Sequence, residues 1–397
     1  MRFFPIAAAV SAALVLSGCA GGTDPGDSPD TTGDGPIRIG MAVSLSGPTA
    51  DTGEKLLAGV QHWIDQGGTL LGRDVELVVQ DDESTPATAA RLYERLITVE
   101  KVDLVLGPYG SGPSAATAPV VDRHGRFIIM PGASAAQIFT DSEMPVQLMT
   151  PQRHLPALPL RLANEQGYKT IAIAGVANPY GTETMLGATN YAEEYGLDVV
   201  LSEQYEEESR DLSSLIVKMK SLNPDVVYVG AYVPDAILFM RQAKDQGLEP
   251  RMFILGSTGP VVPEFVESLG QTAEYVMGTA QWSPDLTYPG VEEFLASWEK
   301  AHPDIQADYV QAAGYGMMQL LDQLTEEAGS LDDEALKDAA YAKPHETIFG
   351  PFELDNDGIQ IAERGAVTQI INGEIRAVYP KSAIKPELPV PAWAARN

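Results

Sequence analysis

From residue 37 onward, runs of branched apolar residues alternate with segments whose apolar residues recur at helical spacing. The run IRIGMAVSL predicts a buried strand, and EKLLAGVQHWID places its apolar side chains on one face of a helix. The same succession continues through VELVVQDD, PATAARLYERLITVE, DLVLG, PSAATAPVVDRHG and RFIIM. Strand–helix units of this length predict a parallel sheet covered by helices on both faces.

A second series of the same kind begins near residue 155. It contains a helix in HLPALPLRLANEQG, then TIAIAGV, GTETMLGATNYAEEYG, LDVVLSEQY, RDLSSLIVKMKSLN, PDVVYVG, PDAILFMRQAKDQG and RMFILG. The pattern therefore predicts two α/β halves in tandem. A chain of 397 residues, 44% of them hydrophobic, is long enough to bury a core in each half.

The last third of the chain changes pattern. Three helices, GVEEFLASWEKAH, ADYVQAAGYGMMQLLDQLTEEAG and LDDEALKDAA, follow one another with hardly a strand between them. TIFGPFELDNDG and GAVTQIINGEIRAVYP then read as strands around turns. We expect the helices to return to the first lobe and the final strands to complete the second, so that several crossings form a hinge beside a cleft.

The N-terminal segment reads as an export signal. Its apolar run, Ile6 to Leu16, covers about eleven residues, whereas a membrane-spanning helix needs about 20. The run is followed by Ser17-Gly18-Cys19, which resembles a bacterial lipobox. This resemblance predicts cleavage that removes residues 1–18 and lipid attachment at Cys19. A plain secretory signal that happens to contain a cysteine is the alternative. Residues 19–36 lack large apolar side chains and predict a flexible tether.

Charge and composition exclude several classes of function. The chain has 26 Lys and Arg against 55 Asp and Glu, so it lacks the basic surface that a nucleic-acid-binding protein requires. Its one cysteine rules out an intrachain disulfide, and its five histidines do not have the spacing of metal ligands. We therefore expect no cofactor, no metal and no nucleic-acid partner.

The loops that follow the predicted strands carry the candidate chemistry. In the first half these are SLSGPTADTG, LGPYGSGPS and MPGASAA, and in the second GVANPYGTE, VGAYVPDA and LGSTGPV. Ligands of open parallel sheets bind beyond the carboxyl ends of the strands, where hydroxyls and helix N–H groups accommodate anions. The loop GPYGSG lacks the lysine of a nucleotide loop, and YGSGP lacks the first glycine of a GxSxG nucleophile elbow.

The order and spacing of these loops resemble the branched-chain amino acid (Leu/Ile/Val) solute-binding proteins of bacterial ABC transporters. The resemblance runs from Ile37 to about Pro380 and includes DLVLGPYGSG, FIIMPGAS, PYGTE, DVVYVGAYVPDA and the closing DNDG, NGEI and YP. It implies a type I periplasmic-binding fold, in which two Rossmann-like lobes are joined by a three-strand hinge. The lobes are expected at 37–155 plus 281–343 and at 156–280 plus 344–380, followed by a tail at 381–397.

The resemblance also implies roles for individual residues. In the first lobe, Ser111 and the backbone near Tyr109 and Gly110 would hold a carboxylate. The implied ammonium contacts are the Gly132 carbonyl and the Ser134 hydroxyl, with Ala133 between them. The remaining implied contacts are Tyr180 and Tyr232, which would close over the ligand from the second lobe, and Ser46 and Thr52, which would border its side chain.

One position departs from the pattern of the amino-acid binders. Where they commonly place an acid facing the ligand ammonium, this chain has Thr258. Either Asp235 or another acid substitutes, or the ligand has no α-ammonium, since a buried ammonium without a countercharge is costly. Asp235 follows Pro234 at a helix start, which favours an ordinary first-turn acid. Amino acids are the favoured ligand class, by a small margin over other carboxylates and small amides.

The resemblance therefore implies a monomeric, lipid-anchored, extracytoplasmic receptor that delivers a small ligand to an ABC permease and is not an enzyme. The alternatives are a sensor of an amide, urea or an aromatic acid that signals to a membrane partner, and an extracytoplasmic hydrolase, for which no nucleophile–base pair is found. Two smaller questions stay open in the sequence. The segment Asp81 to Ser84 could form a metal site or precede a helix start. The side chain of Trp282 could line the cleft or pack in the core.

Overall fold

The computed structural model describes residues 35–206, 209–256 and 260–396. Its first half forms a five-stranded sheet in the order β2-β1-β3-β4-β5, in which all neighbouring strands are parallel. The elements are β1 (Ile37–Val43), α1 (Ala50–Asp65), β2 (Val75–Asp81), α2 (Pro86–Thr98), β3 (Leu104–Leu106), α3 (Ser111–Arg123), β4 (Ile128–Met130), α4 (Gln137–Thr140) and β5 (Pro145–Gln147).

The second half repeats this alternation, as its sequence pattern predicts. Its elements are α5 (Ala157–Glu165), β6 (Thr170–Val176), α6 (Pro179–Glu194), β7 (Asp198–Tyr205), α7 (Ser213–Leu222), β8 (Val226–Gly230), α8 (Val233–Gln246), β9 (Met252–Gly256), α9 (Pro263–Leu269) and β10 (Met277–Ala280). These five strands lie in the order β7-β6-β8-β9-β10 and are parallel, which reproduces the strand order of the first sheet.

The last third contributes to both halves. Its elements are α10 (Val291–Ala301), α11 (Tyr309–Ala328), α12 (Asp333–Ala342), β11 (His345–Thr347), β12 (Gly350–Phe352), β13 (Ala366–Ile371) and β14 (Glu374–Tyr379). The three helices share a hydrophobic core with the first sheet. Strands β13 and β14 extend the second sheet beyond β10 as an antiparallel pair.

The segment TIFGPFELDNDG does not complete the second sheet as expected. Among the strands that the structure describes, β11 and β12 pair only with each other, and Ile348, Phe349 and Phe352 are buried in the core of the first half. This happens because three apolar side chains within five residues find a partner surface on α11. We therefore propose that the first lobe extends to about residue 352, and that the second lobe resumes at β13.

Each sheet is buried on both faces, which explains the near-continuous apolar strands. In β1, Met41 belongs to the core cluster beneath α1 and α11, whereas Ala42 belongs to the cluster beneath α2 and α3. The second sheet likewise separates two clusters. Trp282 belongs to the core and not to the cleft, because it is 3% exposed and its indole N–H donates to the Ile348 carbonyl at 2.8 Å.

Three chain segments connect the lobes, after β5, after β10 and before β13. The Gln281 side chain joins the first two, because its Oε1 accepts from the Thr150 N–H at 3.0 Å and its Nε2 donates to the Thr150 carbonyl at 2.9 Å. From the third segment, Arg364 Nε donates to Thr150 Oγ1 at 3.4 Å. The crossings therefore lie side by side, and the predicted two-lobe fold with a three-segment hinge is confirmed. No helix in the described ranges is long and apolar enough to cross a bilayer.

Candidate ligand-binding site

The loop between β3 and α3 is shaped by its glycines and by Ser111. Gly110 takes φ of +95°, a left-handed conformation that a side chain would disfavour, and α3 begins at the next residue. A Cβ on Gly107 would lie 2.6 Å from the Ile129 carbonyl, so the loop passes close to β4. The turn therefore presents the N-terminus of α3, whose first amides have no acceptor within the helix.

Ser111 ties this loop to the loop after β4. Its Oγ accepts hydrogen bonds from the backbone N–H groups of Ser134 and Ala135, at 3.1 and 3.3 Å. The Ser134 hydroxyl lies 3.5 Å from the same oxygen. Because two amides use the lone pairs of the Ser111 oxygen, its own proton is left to donate to the Ser134 hydroxyl or to a ligand. The two small-residue loops thus form one group of donors at the carboxyl edge of the sheet.

Tyr109 covers the second of these loops. A Cβ on Gly132 would come within 2.6 Å of the Tyr109 ring, so only glycine allows the ring to lie against this backbone. Ala133 is fully buried, and its carbonyl accepts from Gln147 Nε2 at 2.9 Å. The structure therefore brings together Tyr109, Gly110, Ser111, Gly132, Ala133 and Ser134, as the sequence predicts.

Tyr309 belongs to the same group and was not predicted. It is the first residue of α11, which begins with a capping box formed by Asp308 and Gln311, and its hydroxyl lies 3.0 Å from that of Tyr109. Partial burial raises the pKa of both phenols, so both keep their protons at neutral pH. The capping signature of ADYVQ indicates the helix start in the sequence, but nothing local indicates a partner 200 residues away.

Ser46 has a structural partner within its own lobe. Its hydroxyl donates to Asp81 Oδ2 at 2.7 Å, and its carbonyl accepts from the Ser84 hydroxyl at 2.7 Å. The bond from Ser46 is the main cause that lowers the pKa of Asp81. Thr52 lies half-buried in the first turn of α1. A role for Ser46 and Thr52 beside the ligand stays a prediction.

The segment from Asp81 to Ser84 leads from β2 to the N-terminus of α2, and its side chains also bind the loop after β1. Asp82 Oδ1 accepts from the Ser44 hydroxyl at 2.7 Å and from the Ser84 N–H at 2.9 Å. Helix α2 begins later, with Thr85 at its N-cap position. Across the described residues, no three His, Cys, Asp or Glu side chains are grouped so that they could hold a metal ion.

In the second lobe, two tyrosines at the strand ends form a stacked pair. The rings of Tyr180 and Tyr232 have centroids 4.6 Å apart and planes 22° apart, and the Tyr180 hydroxyl donates to the Gly256 carbonyl at 2.8 Å. Tyr232 is 40% exposed, which leaves part of its ring accessible. The pair provides an aromatic surface at the carboxyl edge of the second sheet.

Asp235 lies in the first turn of α8, as its position after a proline predicts. One of its oxygens accepts from the Tyr205 hydroxyl at 3.4 Å. Burial and then the nearby Asp235 raise the pKa of Tyr205. Asp235 therefore has a partner within its own lobe. Thr258, the other candidate for facing an ammonium group, lies outside the described residues.

The profile of the family described as "Periplasmic binding protein" matches residues 36–374. The chain belongs to the periplasmic binding protein family. Its relatives include a Leu/Ile/Val-binding protein homolog of Brucella abortus, 27% identical over 381 residues, which covers 89% of this chain and 94% of the relative. A leucine-, isoleucine-, valine-, threonine- and alanine-binding protein of Pseudomonas aeruginosa is 25% identical over 81% of this chain and 86% of its own length.

Solved structures share the fold of this periplasmic binding protein. A branched-chain amino acid transporter substrate-binding protein of Streptococcus pneumoniae, in complex with isoleucine, has a TM-score of 0.66 and 22% identity and covers 86% of this chain and 98% of its own. A solute-binding protein of an ABC transporter from R. palustris, in complex with benzoate, has a TM-score of 0.64 and 23% identity. The match covers 90% of this chain and 97% of the R. palustris chain. These relatives are binding proteins, and the family is periplasmic by its description.

Proposed function

We propose that this periplasmic binding protein is the receptor of an ABC importer and that it holds a small carboxylate ligand between its two lobes. The arrangement around Ser111 carries the proposal. A hydroxyl whose oxygen is held by two amides, at the start of a 13-residue helix, offers hydrogen-bond donors without a formal positive charge. Such a group suits a carboxylate, because charge-assisted hydrogen bonds and the helix N-terminus both favour an anion.

The ligands of the relatives support this choice. Isoleucine and benzoate, bound by two proteins of the same fold, differ in their side groups and share a carboxylate. In our proposal Ser111 and the first amides of α3 bind that shared group, and Tyr109 and Tyr309 border the rest of the ligand. Tyr180 and Tyr232 contact the ligand when the lobes close. An amino acid is the leading ligand, and an aromatic acid is favoured next by the four tyrosines.

A thermal-shift screen of the whole chain tests the ligand class. A ligand that binds only the folded protein raises its melting temperature. We expect a shift from one or more of the branched-chain amino acids or benzoic acids, and none from the matched amides leucinamide and benzamide, which lack the carboxylate. Equal shifts from an acid and its amide would argue against carboxylate recognition.

Ser111→Ala tests the residue that carries the proposal. The substitution removes one donor to the ligand carboxylate and should weaken binding by about 1–3 kcal/mol, or roughly 5- to 150-fold in Kd by calorimetry. Ser268→Ala, at an exposed serine on α9, is the matched control and should leave affinity unchanged. Unchanged affinity in Ser111→Ala would refute its assigned role, whichever ligand the screen finds.

We propose further that the protein is attached to the membrane by a lipid on Cys19, so that the folded part faces the permease from outside the cell. Cys19 and its tether lie outside the described residues, and the lipobox-like sequence supports this part of the proposal. Cys19→Ala should move the protein from the membrane fraction to the soluble fraction or block its processing. Lipid labelling of the alanine variant at the level of the wild type would contradict the anchor.

A further inference from the structure

Arg364 is a buried cation in the hinge. It lies on the segment that crosses between the lobes just before β13, and it is 3% exposed. Its Nε donates to Thr150 Oγ1 at 3.4 Å and one terminal nitrogen donates to the Pro351 carbonyl at 3.3 Å. The guanidinium carbon also lies 5.1 Å from the centre of the Phe349 ring. These contacts are long and neutral, so they compensate the charge only in part.

The other terminal nitrogen, Nη2, is buried and has no hydrogen-bond partner within the part of the chain that the structure describes. No carboxylate pairs with Arg364 there either, since the neighbouring Glu363 binds Arg161 with both of its oxygens. Burial lowers the pKa of the Arg364 guanidinium to about 9, which leaves it protonated at neutral pH. A buried positive charge with one unused donor group therefore lies at the crossing of the lobes.

A cavity of about 260 Å³ lies beside this group, and we call it the hinge cavity. Its lining includes the polar side chains of Thr150, His154, Tyr191, Thr279, Gln360 and Arg364, and also the carboxylates of Glu194 and Glu363. The cavity has room for a small ion with some water. None of its lining residues belongs to the loops that we propose for the carboxylate ligand.

We propose that the hinge cavity binds a small, weakly hydrated monovalent inorganic anion, with chloride as the probe, beside the Arg364 guanidinium that lines it. Thr150 lines the same cavity, and its hydroxyl can donate to the ion while its oxygen accepts from Arg364 Nε. The anion supplies the countercharge that the protein does not. Because Thr150 and Arg364 belong to different crossings, an ion between them stabilises their side-by-side arrangement in the hinge.

The remaining charged and titratable groups of the cavity are consistent with a small, weakly hydrated anion. Glu363 is neutralised by Arg161, and Glu194 is exposed to solvent. Burial is the main cause that lowers the pKa of His154, whose Nδ1 lies 2.6 Å from the Tyr191 hydroxyl, so the imidazole is neutral at pH 7. The two carboxylates disfavour multivalent anions, since like charges repel.

The test is the melting temperature of the whole chain in sodium chloride against sodium fluoride at the same ionic strength. Fluoride holds its hydration water more tightly than chloride does, so we expect a melting temperature about 2 °C higher in 0.2 M chloride, with a saturating dependence on chloride concentration. Arg364→Gln should abolish the difference. Arg91→Gln, which removes an exposed arginine on α2, should retain it.

A second variant keeps the proposal testable if the Arg364→Gln protein does not fold. Thr150→Val removes one donor and keeps the backbone atoms that bind Gln281, so it should shift half-saturation to a higher chloride concentration. Broadening of the chloride NMR signal by the wild type, lost in Arg364→Gln and reduced in Thr150→Val, supports binding at this site. An equal melting temperature in both salts, or a chloride effect that persists unchanged in Arg364→Gln and Thr150→Val, overturns the proposal.

Discussion

Asp322 on α11 shows how one side chain can make stability depend on pH. Partial burial, with a contribution from Glu326 one turn later, raises the pKa of Asp322 from 3.8 to about 6. The folded protein therefore holds this proton more tightly than the unfolded chain does. The contribution of Asp322 to the free energy of unfolding falls as pH rises from about 4 to 6 and stays low above that range.

Asp322→Asn removes this penalty. We expect the variant to be more stable than the wild type by about 1 kcal/mol at pH 7 to 8, less than the full pKa shift implies because solvent screens the carboxylate. Below pH 4 the two proteins should be equally stable. Urea denaturation across this pH range measures the difference, and Asp338→Asn, at an exposed aspartate of α12, is the control. A gain that persisted at pH 3.5 would contradict an electrostatic origin.

Single residues of the candidate site differ in how well the sequence predicts them. Ser111 and Gly132 are predictable, because their roles follow from the ends of strands and from small residues in the loops. The hydrogen bond from the Ser46 hydroxyl to Asp81 cannot be predicted from the sequence, because it depends on how two loops from neighbouring strands meet. The same holds for Tyr309, whose contact with Tyr109 joins the start of α11 to the first lobe.

At the scale of elements, α1 and α11 approach closely because glycines face each other across their contact. A Cβ on Gly59 would lie 2.0 Å from the Gln311 carbonyl oxygen, and one on Gly314 would lie 2.3 Å from that of Leu56. Each clash is with backbone, which cannot move away as a flexible side chain can. This contact attaches the long helix of the last third to the first lobe.

Gly59→Ala should therefore destabilise the protein by about 2–3 kcal/mol, even though alanine favours a helix by up to about 1 kcal/mol over glycine. Chemical denaturation measures the loss. The matched control is Gly112→Ala in α3, where the nearest atom to a new Cβ is Pro86 Cγ at an ordinary 3.4 Å. Comparable destabilisation by both substitutions would mean that helix contact is not the cause.

The elements that the sequence does not predict are short. Strands β5 and β10, and helices α4 and α9, have three to seven residues each, too few to show a period of 2 or 3.6. They exist because neighbouring strands and helices provide hydrogen bonds and apolar surface. β11 and β12 were expected in the second sheet and pair with each other because their apolar residues pack in the first core.

At the scale of the whole molecule, the proposed function requires the two lobes to close on a ligand about the three crossings. In that proposal, closure brings the tyrosines of the second lobe toward the donors of the first, so that ligand binding shifts the equilibrium toward the closed form. A ligand identified by the thermal-shift screen should reduce the radius of gyration measured by small-angle X-ray scattering. The matched amide should leave it unchanged, and saturation with the acid without any reduction would contradict closure.

The alternation of the longer strands and helices, the division into two α/β halves and the loops at the ends of those strands follow from the sequence alone, because they depend on neighbouring residues and on periodicity. The partners of particular side chains were decided by tertiary structure. The contacts of Ser46 with Asp81, Tyr109 with Tyr309 and Thr150 with Arg364 join residues 35, 200 and 214 positions apart. Such contacts form only when whole elements pack, so the unused donor of Arg364 in the hinge has no local signature in the chain.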